Sequence, residues 1–266
     1  MADLILALPP KWERDLDCGW VTFQSGADTI RGYFAKPLGG RDLPAIVMAH
    51  ERLGIIEHRQ DVTRRFAKNG YACLSVDLYS RCGGQPPQNF TTMAERRILS
   101  QLATVDEQAI PDMQAGCADL ASRPDVDRNR IGAIGFCAGG GTLYGWLCGQ
   151  SQNVKAAVVY YGSTVARAEG RPDGKQINRK DSASLIQCPI QVHHGELDKT
   201  VTLESTKEMV EALKSGTQTV EFYIYDNADH VFHDDSYPNY QDVAAKLSWE
   251  RTLQFFQMHL DSDGLR

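Results

Sequence analysis

Four side chains with the chemistry to open a carbonyl bond stand in the order Glu51, Cys137, Asp198 and His230. Each follows, directly or after a few residues, a stretch that reads as buried strand. Cys137 is the nucleophile of the set. A free thiol with a pKa of about 8.5 supplies little thiolate at neutral pH, so it needs a base. His230 can accept the proton and later return it to a leaving group. Asp198 would bind the second imidazole nitrogen, fixing the tautomer and stabilising the cation.

The surroundings of Cys137 strengthen this reading. The run Arg130–Gly141 begins as an apolar strand and passes through Gly135-Phe136-Cys137-Ala138-Gly139 into a segment with room for a helix. A strand that turns into a helix at one non-glycine residue strains that residue and pushes its side chain above the sheet. Its neighbours must then be small. This is the geometry of G-x-S-x-G, the nucleophile elbow, with cysteine in the serine position, and the order nucleophile, acid, histidine is that of α/β-hydrolases. Backbone N–H groups of Ala138 and Arg52 are placed to receive a developing oxyanion.

Taken singly, each residue has a plainer reading. Cys137 could be a small core residue, Asp198 a turn or capping group, and His230 a loop histidine. His230, His233 and Asp234 also form an H-x-x-H-D run, a weak metal signal that is not adopted. Taken together, their order, spacing and elbow predict a Cys–His–Asp catalytic triad. Nucleophile, base and oxyanion hole all come from the protein, so no metal or organic cofactor is expected.

The elements that must carry these residues alternate. Trp20–Ser25 and Thr29–Lys36 read as an antiparallel edge pair. Buried strands are predicted at Pro44–Ala49, Tyr71–Val76, the elbow run, Val154–Tyr160, from Pro189, and at Val220–Tyr225. Helices are predicted at His58–Lys68, Thr92–Leu102, Pro111–Ser122 with proline at its first position, Leu203–Lys214 and Asp242–His259. Ser163–Ala183 is a polar surface excursion. The alternation predicts an α/β fold, a mostly parallel sheet with helices on both faces. In such sheets the reactive loops lie at the carboxyl ends of the strands. No repeat or change of rhythm divides the 266 residues, so a single domain over 1–266 is expected.

A net charge of −6 argues against nucleic acid or an anionic membrane as the main partner; the small-molecule substrate expected is read from the site residues. The first ten residues have neither the basic flank nor the apolar length of a signal or a span. Seven cysteines, an odd number with no C-x-x-C pair, fit reduced thiols and a cytoplasmic location. Oligomeric state stays open.

The motifs Gly135-Phe136-Cys137-Ala138-Gly139-Gly140, Gly195-Glu196-Leu197-Asp198 and Asp229-His230-Val231-Phe232, with the Glu51 loop, resemble the dienelactone hydrolase (carboxymethylenebutenolidase) family from about residue 20 to 258. The resemblance implies an α/β-hydrolase fold, a Cys137–His230–Asp198 triad and cleavage of an ester or lactone through an acyl-cysteine. It also implies that Glu51 hydrogen-bonds the thiol and helps deprotonate it, and that Arg81 grips a substrate carboxylate. The sequence departs from the family at three places. Asp234 stands where a second carboxylate-gripping arginine would fall, His50 replaces a glutamine, and the 163–183 excursion is long. Three alternatives accompany the reading. They are a thioesterase, a non-catalytic small-molecule-binding member of the fold, and a thiol redox sensor with Cys82 as resolving partner.

Overall fold

The computed structural model describes residues 15–84, 92, 95, 104–149, 153–168, 173–217 and 219–261. Its centre is an eight-stranded sheet. The strands are β1 (Leu16–Ser25), β2 (Asp28–Pro37), β3 (Leu43–Ala49), β4 (Ala72–Val76), β5 (Val126–Phe136), β6 (Val154–Tyr160), β9 (Ile190–Gly195) and β10 (Val220–Tyr225). They lie side by side in the order β1-β2-β4-β3-β5-β6-β9-β10. β1 and β2 pair antiparallel, and β2 pairs antiparallel with β4. From β4 to β10 every pairing is parallel. The expected α/β architecture is therefore present, with the antiparallel pair at one edge.

The parallel strands are apolar on both faces because helices cover both. In β3, Ala45, Val47 and Ala49 join a core layer with Met113 and Leu120 of α2 (Asp106–Ser122) and Leu143 and Leu147 of α3 (Ala138–Cys148). The alternate residues Ile46 and Met48 join the opposite layer. There they meet Val62 and Phe66 of α1 (Glu57–Lys68) and Phe255 and Phe256 of α5 (Asp242–Leu260). A further helix, α4 (Leu203–Leu213), packs Met209 and Leu213 into the first layer.

Two boundaries differ from the sequence reading. α2 begins at Asp106, so Pro111 sits inside the helix and not at its first position. The acidic pair Asp106-Glu107 favours the positive end of the helix dipole and is the start signal that the proline obscured. The excursion carries secondary structure: β7 (Val165–Ala166) and β8 (Ile177–Asn178) form a two-residue antiparallel pair, followed by a 3₁₀ segment Arg179–Leu185. The first ten residues and most of the helix expected at Thr92–Leu102 lie outside the described residues. None of the described helices is long and apolar enough to cross a membrane.

Candidate active site

The elbow sits at the end of β5. Cys137 has φ 52° and ψ −115° and immediately precedes α3. A side chain in this left-handed region is strained, and the surrounding structure must hold it there. The glycines beside it allow the close approach. A Cβ on Gly135 would lie 2.6 Å from the Gly139 carbonyl oxygen, and one on Gly139 would lie 2.4 Å from that of His50. Tyr161 and Val231, which follow β6 and His230, also have positive φ (38° and 65°). For the β-branched Val231 this is a true outlier. Strain thus gathers around the thiol and its histidine.

Three loops converge on Cys137. His230 Nε2 lies 3.0 Å from Cys137 Sγ, and His230 Nδ1 donates to Asp198 Oδ2 at 2.7 Å. Asp198, in the turn after β9, is fixed by the Thr200 and Val201 N–H groups, which donate to its Oδ1 at 2.8 and 2.9 Å. The Tyr161 ring packs edge-on to the imidazole, with centroids 5.1 Å apart. Asn239 Nδ2 donates to the His230 carbonyl and steadies the loop. Sequence reasoning passed over Tyr161 and Asn239, neither of which belongs to a recognisable motif.

Electrostatics favour a charged pair. Burial opposes ionisation of Cys137, but the His230 charge and hydrogen bond, Arg52 and the Ala138 N–H together hold the thiol below its ordinary value. Burial also opposes charge on His230, yet the Cys137 thiolate and Asp198 raise it to about 10. Both shifts favour a thiolate–imidazolium pair. The Arg52 carbonyl accepts from Tyr79 Oη at 2.9 Å, which fixes the loop after β3.

Glu51 is buried close behind this cluster, but it makes no hydrogen bond to Cys137. Its partner is Arg59 of α1, with Nη2 2.6 Å from Oε2. The pair is close yet poorly aligned, so the carboxylate oxygens and the guanidinium gain no directed hydrogen bond from the protein. The Arg59 guanidinium lies 3.6 Å over the ring of Phe136, the residue before the nucleophile. His50 supports the same loop: its Nδ1–H donates to the Glu51 carbonyl at 2.6 Å, and its Nε2 accepts from the Leu78 N–H at 3.0 Å. Both ring nitrogens are thereby used in a neutral imidazole, which burial favours.

Arg81 is placed differently from the expectation. It holds Asp112 of α2 at 2.5 and 3.0 Å and Asp28 of β2 at 2.7 Å, and it does not line the cleft at Cys137. Two carboxylates already use its fork, so it is a brace between the edge pair and α2. Asp234 faces inward as well. It is fully buried, accepts from Ser236, and lies 3.6 Å from His58 Nδ1. Its charge is turned away from the cleft. The described residues with metal-like spacing are His58, Asp234 and Asp235, not His230 and His233. His58 Nδ1 donates to Asp235 at 2.8 Å, and Arg65 approaches Asp235 at 3.6 Å, so this cluster is already bonded within the protein. All seven cysteines are free thiols, Cys82 among them.

Arg52 and Arg167 line the cleft with Cys137. Neither forms an ion pair among the described residues, whereas Arg179 beside them is held by Asp106. Nothing in the sequence distinguished Arg167 from the other charges of the excursion.

Residues 30–260 match the model of the dienelactone hydrolase family. The chain belongs to that family. A Salmonella typhimurium protein named "Putative carboxymethylenebutenolidase" is 30% identical over 253 residues, 94% of this chain and 90% of its own. A Bradyrhizobium protein named "Probable 2-oxo-3-(5-oxofuran-2-ylidene)propanoate lactonase" is 27% identical, covering 91% of this chain and 94% of its own. Among solved structures, the "Putative Dienelactone Hydrolase" of Klebsiella pneumoniae superposes with a TM-score of 0.80 at 26% identity, over 91% of this chain and 98% of that one. The α/β-hydrolase fold read from the sequence is thus the family's fold, and the protein is an ester- or lactone-cleaving hydrolase of that family.

Proposed function

We propose that hydrolysis proceeds through Cys137 and that the preferred substrate is a small ester or lactone carrying an anionic group. The observation that carries the first part is the unbroken contact Cys137–His230–Asp198 on three separate loops. The thiolate attacks the carbonyl carbon, and the oxyanion is received by the Ala138 and Arg52 N–H groups. His230 Nε2 gives its proton to the departing oxygen, which in a lactone stays tethered to the acyl group. A water then loses a proton to His230 and cleaves the thioester, releasing a carboxylic acid and the thiol.

Glu51 acts from behind. Where the pair has collapsed to neutral imidazole and thiol, this buried carboxylate, held by Arg59 without directed hydrogen bonds, is a second base for the thiol proton. The second part rests on Arg52 and Arg167, cations of the cleft with no carboxylate partner among the described residues. They replace Arg81 in the role of gripping an anion, for which Arg's planar fork is suited. The Bradyrhizobium relative, named for a lactone that is also a carboxylate, agrees with this.

Free thiols throughout support a cytoplasmic setting, and the continuous sheet supports one catalytic domain. The test pairs a carboxylated lactone with a neutral ester of equal size. Arg167→Gln should raise KM for the former about tenfold, as loss of a charge-assisted contact predicts, with the neutral ester little changed. Equal effects on both would remove the anion from the reading.

A further inference from the structure

The cleft at Cys137 is small, about 100 Å³. Beside it lies a larger hollow of about 420 Å³, walled by Ile110, Pro111, Gly145, Cys148, Ile177 and Ser182, with the exposed Glu107 also in its lining. Sites that hold whole small molecules are about 300 to 1,000 Å³ and mostly apolar, so the second hollow has the size and lining that the first lacks.

Asp106 and Arg179 line both spaces. They form a two-pronged ion pair at 2.6 and 2.7 Å, one partner from the start of α2 and the other from the 163–183 excursion. Among the described residues, this pair is the lining that cleft and hollow share. Its seat is shaped for it: a Cβ on Gly145 would lie 2.4 Å from Arg179 Nη1 and 3.1 Å from Ile110 Cδ1. Arg179 is buried, and its Nε has no acceptor in the protein. An unmade buried hydrogen bond is costly. An oxygen of an occupant lying along the pair would satisfy it.

We propose that the hollow is a second subsite of the same active site, taking an apolar aryl or alkyl group remote from the scissile carbonyl while the substrate crosses the Asp106–Arg179 pair. This rests on the reading of Cys137 as nucleophile, which places the reacting carbonyl in the small cleft. The protein then accepts substrates much larger than the cleft alone admits, and the excursion sets the limit through Arg179 and Ile177.

Ser182, half-buried on the hollow's rim and remote from the triad, is the position at which to fill it. Three vinyl or aryl esters serve as probes: vinyl acetate, vinyl 3-phenylpropanoate and 2-naphthyl acetate. Ser182→Trp should lower kcat/KM about tenfold or more for at least one of the two large esters and leave vinyl acetate within about twofold, in line with pocket discrimination. The affected ester also shows whether the acyl or the alcohol half enters. Loss shared equally by all three, or by none, overturns the proposal. Should Ser182→Trp lower the urea midpoint, Ile177→Trp blocks the hollow from the opposite side. Binding of the two large esters to Cys137→Ala, by calorimetry, reads the subsite without turnover. The added Ser182→Trp should weaken at least one of them about tenfold, and binding of neither ester would overturn the subsite. Turnover that survives in Cys137→Ala would instead refute the nucleophile and leave these binding differences standing.

Discussion

The elbow around Cys137 and the core around Cys73 and Cys117 hold the same side chain, half-buried in the first and fully buried in the second, and the thiols are driven in opposite directions. Cys73, at the centre of the sheet, is pushed well above its ordinary value by burial, and Cys117 of α2 is pushed up to about 12 by burial alone. Cys137 meets the same penalty and ends below its ordinary value, because His230, Arg52 and the Ala138 N–H outweigh it. Burial by itself makes an inert cysteine. A buried cysteine becomes a nucleophile only where the chain supplies a charge partner and a dipole, and here that demanded strained backbone at Cys137 and Val231.

The widest break in this comparison comes from removing the thiol. Cys137→Ala should lower kcat by about 10⁴-fold or more, as in other triads, while Cys117→Ala leaves turnover intact. Esterase rates with parallel urea melts check both. Next is the layer behind the elbow. Arg59→Met leaves the Glu51 carboxylate buried without its partner and should cost about 3–5 kcal/mol of stability, read from the urea midpoint. A loss near zero would contradict the pairing of Glu51 with Arg59.

A subtler test reads the pair itself. His230→Gln should move the pH midpoint of Cys137 alkylation upward, toward the behaviour of the core thiols, since the His230 charge is the chief force lowering it. Stability carries the matching sign. His230 is raised to about 10, so its contribution is complete below the ordinary imidazole value of about 6.5 and is lost as pH rises through 10. The stability gap between wild type and His230→Gln should therefore close on that alkaline side. A gap that widened would reverse the assignment. The smallest effect is expected at Arg81→Ala, where KM for a carboxylated lactone should stay within about twofold, because the ion pairs of Arg81 lie outside the cleft.

These same residues show what the sequence could disclose. The elbow glycines, the parallel strands and the positions of Asp198 and His230 were legible because each follows a local rule: an apolar run, a forced turn, a loop at a strand's carboxyl end. Partners across the fold were not. Glu51 has Arg52 as its neighbour in sequence but pairs with Arg59, because α1 packs beneath the loop after β3. Arg81 matches, by family resemblance, a substrate-gripping arginine but faces Asp112 and Asp28, carboxylates that belong to α2 and β2. Asp234, an acid beside the triad histidine in sequence, turns inward to His58. Ion pairing is decided by which elements meet, and no local pattern records that.

The most direct measurement of the Cys137 mechanism is to quench the wild-type protein in acid during its first turnover of an activated ester and map the acylated peptide by mass spectrometry. The acyl group is expected on Cys137, discharged on further incubation at neutral pH and missing from Cys137→Ala. An acyl group on any other residue, or turnover with no acylated peptide, would contradict that mechanism.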